Sequence, residues 1–567
     1  MYIYKLMKTS ATNYSARGIE NYDTNQQPAK GGGEGSSKSI GRMELAALIA
    51  QDARNILKEN AVLKSNRNDE YWQRIRLGLP PTAPKTSFAY DRFGSMLAGM
   101  GIKNDKSDNH IALAPLTDND IKSMSKGAIK YPLFLRAKDL KPESGGLFDE
   151  VLTGGVSGNK YTHIDLAEPV INPIFEEPAR RLLGMSGTDF KKNVYDRGAK
   201  VIKDQLNKLD LADKHTELLD ITKTARGAKL DDAVKQIKYI EALKKTNLRP
   251  GDAYVLSKIP VVPPVSRPVL PGQKGDLLIN DVNYLYRDVM LANEALDTTK
   301  KELPDFYHIP AREHLHDSVS ALFGLQDAVS PQNQARGVKG FMTIIAGKGS
   351  PKYGYFQNKL IRKQLDLSGR GTAAPDINLH MDEISLPEDM IWKTYEPFIV
   401  GRLVRRGYPA IQAKEMWEER HSTAREELLK ETKARPILWN RAPTLHKHNI
   451  IAAYPNPIPG KTIRVPATWP EEGMNLDYDG DALQVHVPVT HEAVEEAKRL
   501  TLSNLLFSDK DRGDLLVKPA QEAVIGIFKA TSDKSSDKKI KSFKNREEAL
   551  AAYKRGEVAI NDPVDIG

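Results

Sequence analysis

Cysteine is absent from this 567-residue chain. That absence removes disulfides, thiolate metal ligands and cysteine nucleophiles together. No apolar run approaches the ~18 residues a membrane helix needs, and residues 1–10 lack the apolar core of a secretory signal, so no membrane partner is expected. Aromatic residues are scarce at 7%, while 40 Gly and 34 Pro interrupt the chain often. Several modest cores separated by loops follow from that composition. No repeat with a period of 20–50 residues is present, which excludes solenoids and propellers. Acid is in slight deficit, 74 Asp+Glu against 83 Lys+Arg, and the net charge of +9 favours a polyanionic partner.

At ~150 residues per domain the length suggests three to four domains. Helical spacing of apolar residues predicts an amphipathic helix over 43–57, another over 87–102 and a long charged helical hairpin over 193–245. It also predicts an antiparallel pair from 280–295 and 312–323, its tip marked by Pro304 and Pro310, and helices at 490–505 and 546–555. Residues 260–271 hold five prolines and read as a stiff loop, neither helix nor central strand. Residues 29–39 (AKGGGEGSSKS) are either a mobile loop or backbone that must lie close to something. Between Pro and Gly turns, the runs ILW, IIAAY, TIRVPATW and ALQVHVPV predict a compact β-rich unit over 436–489.

The sharpest chemical signal is NLDYDGD at 475–481. In extended backbone alternate side chains share a face, so Asp477, Asp479 and Asp481 would repel one another unless a cation sits among them. Gly480 allows the turn that lets them converge. Three hard oxygens without nitrogen or sulfur suit Mg²⁺; a plain Asp-Gly turn is the alternative. An EF-hand is excluded, because Gly480 stands at the fourth position from the first Asp and Pro488 at the twelfth. In the strand that follows, Leu483, Val485 and Val487 should point inward, Gln484 and His486 outward. Upstream, Pro436 and Pro443 pin the backbone around Asn440 and Arg441, whose guanidinium would meet a phosphate or ribose, or else a structural carboxylate. His446 and His448 have the wrong spacing for a helical zinc pair and read as structural. Residues 331–370 carry eight basic residues (Arg336, Lys339, Lys348, Lys352, Lys359, Arg362, Lys363, Arg370) against one acid, Asp366, with Tyr353, Tyr355 and Phe356 among them. That run is a phosphate-backbone surface or a solvated basic loop. Together with the three acids it points to two-metal phosphoryl transfer on nucleic acid.

These residues resemble a known family. NLDYDGD resembles the NADFDGD metal loop of the β′ subunit of multisubunit DNA-dependent RNA polymerase, and RPILWNRAPTLH (435–446) the segment preceding it on the same barrel. RKQLDLSGR (362–370) is similar to the β′ switch region, LSKIPVVPPVSRP (256–268) to the lid, and NDVNYLYRDV (280–289) to the start of the clamp helices. Residues 141–148 and HIDLAEPVINPIF (163–175) resemble the N-terminal clamp, and 521–526 and 547–562 continue the match. By contrast MYIYKL, ARG near Arg17, QQPAKGG, SIGRMELAAL and residues 87–102 look like the C-terminal region of the β subunit. The chain thus resembles a β tail joined to the first half of β′.

The resemblance implies an α+β multidomain fold: a double-psi β-barrel catalytic core with a helical clamp and a coiled-coil hairpin. It implies a β-like clamp and switch region at 1–108, the β′ clamp with lid and clamp helices at 109–330, and a rudder, switch and template-binding region at 331–435. The barrel with its metal loop would occupy 436–490, and the start of the post-barrel region 491–567. Asp477, Asp479 and Asp481 would hold the catalytic Mg²⁺, with a second ion arriving with the NTP. Arg441 and Asn475 would contact the NTP ribose. Arg370, Lys363 and their basic neighbours would hold template DNA, 258–275 would form the lid and 326–339 the rudder. The family's four-cysteine zinc element is missing between Phe148 and His163, so no zinc is expected. Tyr355 and Gln364 stand where the family usually has Arg, which weakens DNA contacts there. The acidic stretch LANEALDTTKKELPD implies an unusual initiation factor. The implied partners are the N-terminal part of β, the C-terminal half of β′ with its bridge helix and trigger loop, template DNA, transcript and NTPs. The chain should be inactive without them. It resembles the divided polymerases of giant phages or mobile elements, acting in the cytoplasm of a bacterium or infected host. The rival reading is a non-catalytic DNA-binding clamp or assembly scaffold.

Overall fold

A computed structural model describes residues 9–31, 33–84, 87–107, 110–131, 142–271, 277–467, 474–506, 521–532 and 540–567. The expected β-like match at 1–6, part of the lid at 272–276 and the end of the TIRVPATW run lie outside the described residues. The chain divides into two compact units, Met1–Ser87 with Arg362–Gly567, and Phe88–Ile361.

In the first unit seven strands form one sheet: β1 (Ser15–Arg17), β2 (Ser368–Asp376), β3 (Glu383–Pro387), β4 (Ile437–Arg441), β5 (Ile450–Ile458), β6 (Thr462–Pro466) and β7 (Ala482–His486). Their order is β1-β2-β6-β3-β5-β4-β7, and β7 pairs back onto β2. Six strands therefore close into a ring, leaving no open edge among them, while β1 adds to β2 from outside the ring. The β2/β6 and β3/β5 pairings are parallel and the others antiparallel. The β-rich unit expected at 436–489 is thus only part of the sheet, since β1, β2 and β3 lie well upstream.

Period-two alternation sends Ile437, Trp439, Ile451, Ala453, Ile463, Val465, Leu483 and Val485 into one core. Leu438, Ile450 and Ala452 on the opposite faces of β4 and β5 join a second core, which is why ILW and IIAAY read as continuous apolar runs. That second core is completed by helices α1 (Arg42–Ala50), α2 (Arg54–Val62) and α3 (His491–Arg499). The single helix expected over 43–57 is broken: Asp52 adopts φ 56°, and the Gln51 amide donates to the carbonyls of Lys447 and Ile450 at 2.6 and 3.0 Å. Those two bonds dock the end of α1 on the start of β5. The helix expected over 490–505 likewise stops after α3 and resumes only as a short turn, Leu502–Leu505.

The N-terminal segment is tied to the ring by buried charge. Arg17 Nε meets Asp366 Oδ1 at 2.8 Å with both side chains at most 1% exposed, and the Tyr22 hydroxyl donates to Asp366 Oδ2 at 2.7 Å. Burial pushes the Asp366 carboxyl up to about 6 against the pull of Arg17 and Tyr22. Nearby, Lys64 Nζ donates to the Val487 carbonyl at 2.8 Å. Glu59 accepts from the Val489 and Thr490 amides at 2.9 and 2.7 Å. His486, expected to face solvent, is buried at 3% exposure, because this N-terminal segment packs over the outside of β7. The later part of the stretch 29–39 is close-lying backbone: Ser36 and Ser37 are buried, and the Ser37 hydroxyl bonds the Ala29 carbonyl at 2.9 Å and Gln364 Oε1 at 3.0 Å, while Gly31 and Gly33 face open space.

In the second unit, helices Asp281–Glu302 and His308–Phe323 fold back on each other through a five-residue connection that carries Pro304. The hairpin expected over 193–245 is instead four helices, Gly187–Arg197, Ala199–Asn207, Leu211–Thr224 and Ala228–Thr246. Gly198 and Gly227 break it at φ 80° and 62°, positions where a side chain would be strained. The last two pair as a hairpin. The proline run 260–271 is not all loop, although it avoids a central strand as expected: it begins inside strand Val255–Val261, with Pro260 opposite His163. That strand is the outer one of three, where a missing N–H does no damage. Arg267 locks the run in place. Fully buried, it donates to the carbonyls of Val262 and Leu147 and to Asn283 Oδ1 at 2.8, 2.5 and 2.7 Å.

The Arg17–Asp366 pair gives the first prediction. Asp366→Ala strands a buried guanidinium and should cost about 3–5 kcal/mol of stability. Chemical denaturation of the full chain measures it, and a loss under about 1 kcal/mol would contradict a buried pair of this kind.

Candidate metal centre and nucleic-acid interface

The loop 474–481 is built by alternation. Met474 and Leu476 are buried in the ring's core and Tyr478 packs against it, while Asn475, Asp477 and Asp479 face outward and are exposed. Asn475 and Gly480 carry positive φ, 50° and 124°. Around Gly480 an added Cβ would meet nothing within 4 Å, so glycine is needed there for its backbone and not for space. The loop ends where the Asp481 carbonyl accepts the Ala373 amide at 2.8 Å, and the next residue, Ala482, pairs with Thr372 of β2. The three apolar anchors and the β7 ladder thus fix both ends of the acidic stretch.

Carboxylate oxygens of Asp477, Asp479 and Asp481 all lie within 4.8 Å of one another. An octahedral Mg²⁺ with bonds of ~2.1 Å holds cis oxygens ~3 Å and trans oxygens ~4.2 Å apart, so small rotations of these side chains would close a shell. Among the described residues this is the one group of three or more acidic or imidazole side chains so arranged. The donor set, oxygen only and open to solvent, fits Mg²⁺.

Arg441, the last residue of β4, pairs in register with Leu483. Its Nε lies 2.5 Å from Asp481 Oδ2, with both side chains about four-fifths buried. Of the two roles open to Arg441 from sequence, the carboxylate contact is the one the structure displays, and the carboxylate belongs to the triad. Sequence reasoning missed Glu44, which braces this corner. Its Oε1 accepts the Thr444 hydroxyl at 3.0 Å and its Oε2 the Gly41 amide at 2.8 Å, and Thr444 in turn accepts from buried Asn440 at 3.3 Å. An acid three residues after a helix-capping glycine was the available signal. His446 and His448 meet edge-on at 5.9 Å and stand outside the aspartate cluster. Burial, with Lys447 and His446 beside it, pushes the His448 imidazole down to about 4.

The basic run divides between the units. Arg336, Lys339, Lys348, Lys352 and Lys359 belong to the second and Arg362, Lys363 and Arg370 to the first. Arg336 lies over the Tyr284 ring at 5.6 Å, and Lys348 is paired with Asp327 at 3.1 Å. Lys339 and Lys352 are exposed, Lys359 half-buried. Of the interleaved aromatics Tyr355 is buried, its hydroxyl on the Ala89 carbonyl at 3.1 Å, and Phe356 leans on Phe93 at 5.9 Å. Tyr353, 74% exposed, is the most open of the three. In the first unit Arg362 Nε donates to Ser39 Oγ at 3.0 Å. Lys363 is half-buried on the strand Lys363–Leu365, and Arg370 is exposed on β2.

Comparison with known proteins places the site in a family. Residues 410–503, which include both Arg441 and the aspartate loop, match the family described as RNA polymerase Rpb1, domain 2. The chain is 28% identical over 565 residues to the DNA-directed RNA polymerase subunit beta′ of Sulfurovum sp., covering 83% of this chain and 37% of that protein. It is 32% identical to that of Sulfurimonas denitrificans, covering 76% and 29%. It is 29% identical to that of Caldicellulosiruptor saccharolyticus, covering 80% and 46%. The chain therefore spans less than half the length of these relatives.

Gly480 carries a prediction of its own. Gly480→Ala forces a Cβ onto a backbone at φ 124°, a strain of about 1–3 kcal/mol confined to the loop. Mn²⁺ affinity, read by electron paramagnetic resonance, should weaken by about tenfold while the melting temperature holds. Unchanged affinity would contradict the role given to the turn.

Proposed function

We propose that this chain, a homologue of the β′ subunit of multisubunit DNA-directed RNA polymerase, supplies the metal-binding part of a nucleotidyl-transfer centre. The observation that carries the reading is the convergence of Asp477, Asp479 and Asp481 on a loop anchored by a closed ring, inside the stretch that matches the polymerase family. The closed six-stranded ring with two parallel pairings supports the double-psi barrel assignment. The reaction is attack of the RNA 3′ hydroxyl on the α-phosphorus of a template-selected NTP, with pyrophosphate leaving.

Asp477, Asp479 and Asp481 would hold Mg²⁺, which when bound supplies positive charge to lower the pKa of the attacking hydroxyl and offset charge on the phosphate; a second ion comes with the NTP. The work of this chain's residues is positional. Asn475, outward beside the acids, and Arg441, on the adjacent strand end, are placed to receive the nucleotide ribose. The Met474 and Leu476 anchors keep the acids from turning away. Exposed Arg370 and half-buried Lys363 face the template. The pocket that orders the NTP is completed by the rest of the enzyme: the N-terminal part of β and the C-terminal half of β′ with bridge helix and trigger loop. The chain then acts as one piece of a divided polymerase of the giant-phage or mobile-element kind, in the cytoplasm, with an initiation factor adapted to the acidic face at 291–304.

Two readouts test this. In the complex reconstituted with its missing pieces, Asp479→Ala should lower elongation by more than about a thousandfold, the scale of losing a preorganised charge partner. In the unmodified chain, Fe²⁺ substituted for Mg²⁺ should direct hydroxyl-radical cleavage to the 475–481 loop, and Asp479→Ala should abolish it. Retained elongation, or cleavage elsewhere, would remove the metal assignment and favour the scaffold reading.

A further inference from the structure

The N-terminal segment brings a cation to the ring that the sequence reading passed over. Strand Lys38–Ile40 pairs antiparallel with Lys363–Leu365, Lys38 opposite Leu365 and Ile40 opposite Lys363. Residues directly opposite, and residues two apart, share a face. Lys38, Ile40, Leu365 and Lys363 therefore lie on one face of the ribbon. Ile40 and Leu365 are buried there in the core with Leu438 and Ile450, and Lys38 and Lys363 lie half-buried beside them. The Lys38 backbone amide donates to Ser368 Oγ at 3.1 Å, which sets Lys38 beside the strand that carries Arg370. Arg370 is near enough to act on the Lys38 ammonium.

Charges that hold this unit together are partnered. Arg17 has Asp366, and Lys64 has the Val487 carbonyl with Glu59 at 4.0 Å. Lys38 and Lys363 differ. Among the described residues no carboxylate lies within ion-pair distance of Lys38, Lys363 or Arg370, and the one side-chain partner of the Lys38 ammonium is Ser36 Oγ at 2.9 Å. Burial, with Arg370 alongside, pushes the Lys38 amine down to about 8, and burial alone does the same to Lys363. Lys38 with Arg370 near it and no anion, beside a half-buried Lys363 on the ribbon face that Lys38 shares, is unfavourable as a structural device. Such cations are what a phosphodiester requires.

We infer that Lys38, with Lys363 and Arg370, forms a phosphate-binding clamp for a nucleic-acid backbone, the N-terminal segment supplying the third cation. This rests on the polymerase reading above, adding to it a contact from outside the 331–370 run. A free triphosphate offers the same chemistry, so the test separates the two.

The test uses the full chain, a short fluorescent single-stranded oligodeoxynucleotide, and inorganic tripolyphosphate as a separate probe. Lys38→Met keeps the apolar stem and removes the charge. It should weaken oligonucleotide binding by about three- to tenfold at moderate salt and make the log–log salt slope less negative by about 0.7, the release expected for one phosphate contact on a single strand. Its melting temperature should stay level or rise. Lys38→Arg should keep the binding, and Lys433→Ala, an exposed lysine elsewhere on the unit, should leave it within about twofold. Lys38→Met behaving like Lys433→Ala, or melting well below the parent chain, overturns the clamp. Loss of tripolyphosphate binding with oligonucleotide binding intact overturns the backbone assignment in favour of a free nucleotide. If the parent chain shows no salt-sensitive oligonucleotide binding, the polymerase reading itself fails and the clamp with it. If the parent binds and only the lysine result is wrong, that reading stands.

Discussion

The pairing of β7 on both its edges is the constraint from which the site follows. Leu483 and Val485 lie opposite Arg441 and Trp439 of β4 on one side and opposite Gly371 and Gly369 of β2 on the other. That double pairing closes the ring. It also fixes Asp481 one residue before the strand begins and delivers Arg441 to it at 2.5 Å. A strand free on either edge could slip by a residue, and a one-residue slip would send Leu483 and Val485 outward and the acidic loop with them. Met474 and Leu476 serve the same end from the loop's other side, by anchoring it in the core. Hydrophobic burial and backbone ladders therefore hold the loop, which leaves the oxygens of Asp477 and Asp479 open to solvent, while Asp481 meets Arg441.

Charge is used in two ways in this unit. Where it is structural it is satisfied: Asp366 takes Arg17 and Tyr22, and Glu59 takes two backbone amides and a hydroxyl of Thr490. These buried contacts tie Arg17, Tyr22 and Glu59 to residues more than 300 positions away, so the N-terminal segment is part of the ring unit and not an appendage. Elsewhere in the unit three acids converge in the 475–481 loop, and Lys38 and Arg370 lie near each other with no carboxylate in ion-pair distance among the described residues. The two groups have opposite sign, the combination that the proposed metal and phosphate contacts call for.

Much of the site was legible in the sequence because it is local. The spacing of Asp477, Asp479 and Asp481 around Gly480 is a seven-residue pattern, and its alternation survives into the structure as outward acids and inward Met474, Leu476 and Tyr478. Helices were legible where one apolar stripe decides them, as in Asp281–Glu302 and His308–Phe323. What periodicity could not show depends on partners distant in the chain. The break at Asp52 arises from Gln51 bonding to carbonyls some 400 residues on. Pro260 sits in a strand because its own edge is the outer one. His486 obeys the alternation yet is buried, since the face opposite the core is covered by a segment that period two cannot foresee. Lys38 hid in a Gly/Ser-rich stretch whose composition left open a mobile loop or closely packed backbone, and became significant through its register with Lys363.

The central claim is that these three aspartates share one divalent ion. Anomalous diffraction from crystals of the chain soaked in Mn²⁺ tests it most directly. The account predicts a single strong peak bonded to oxygens of Asp477, Asp479 and Asp481, at about 2.0–2.3 Å as a hard-oxygen site requires. Manganese found only elsewhere, with the Arg441 guanidinium still seated on Asp481 and the other two carboxylates turned to solvent, would contradict it.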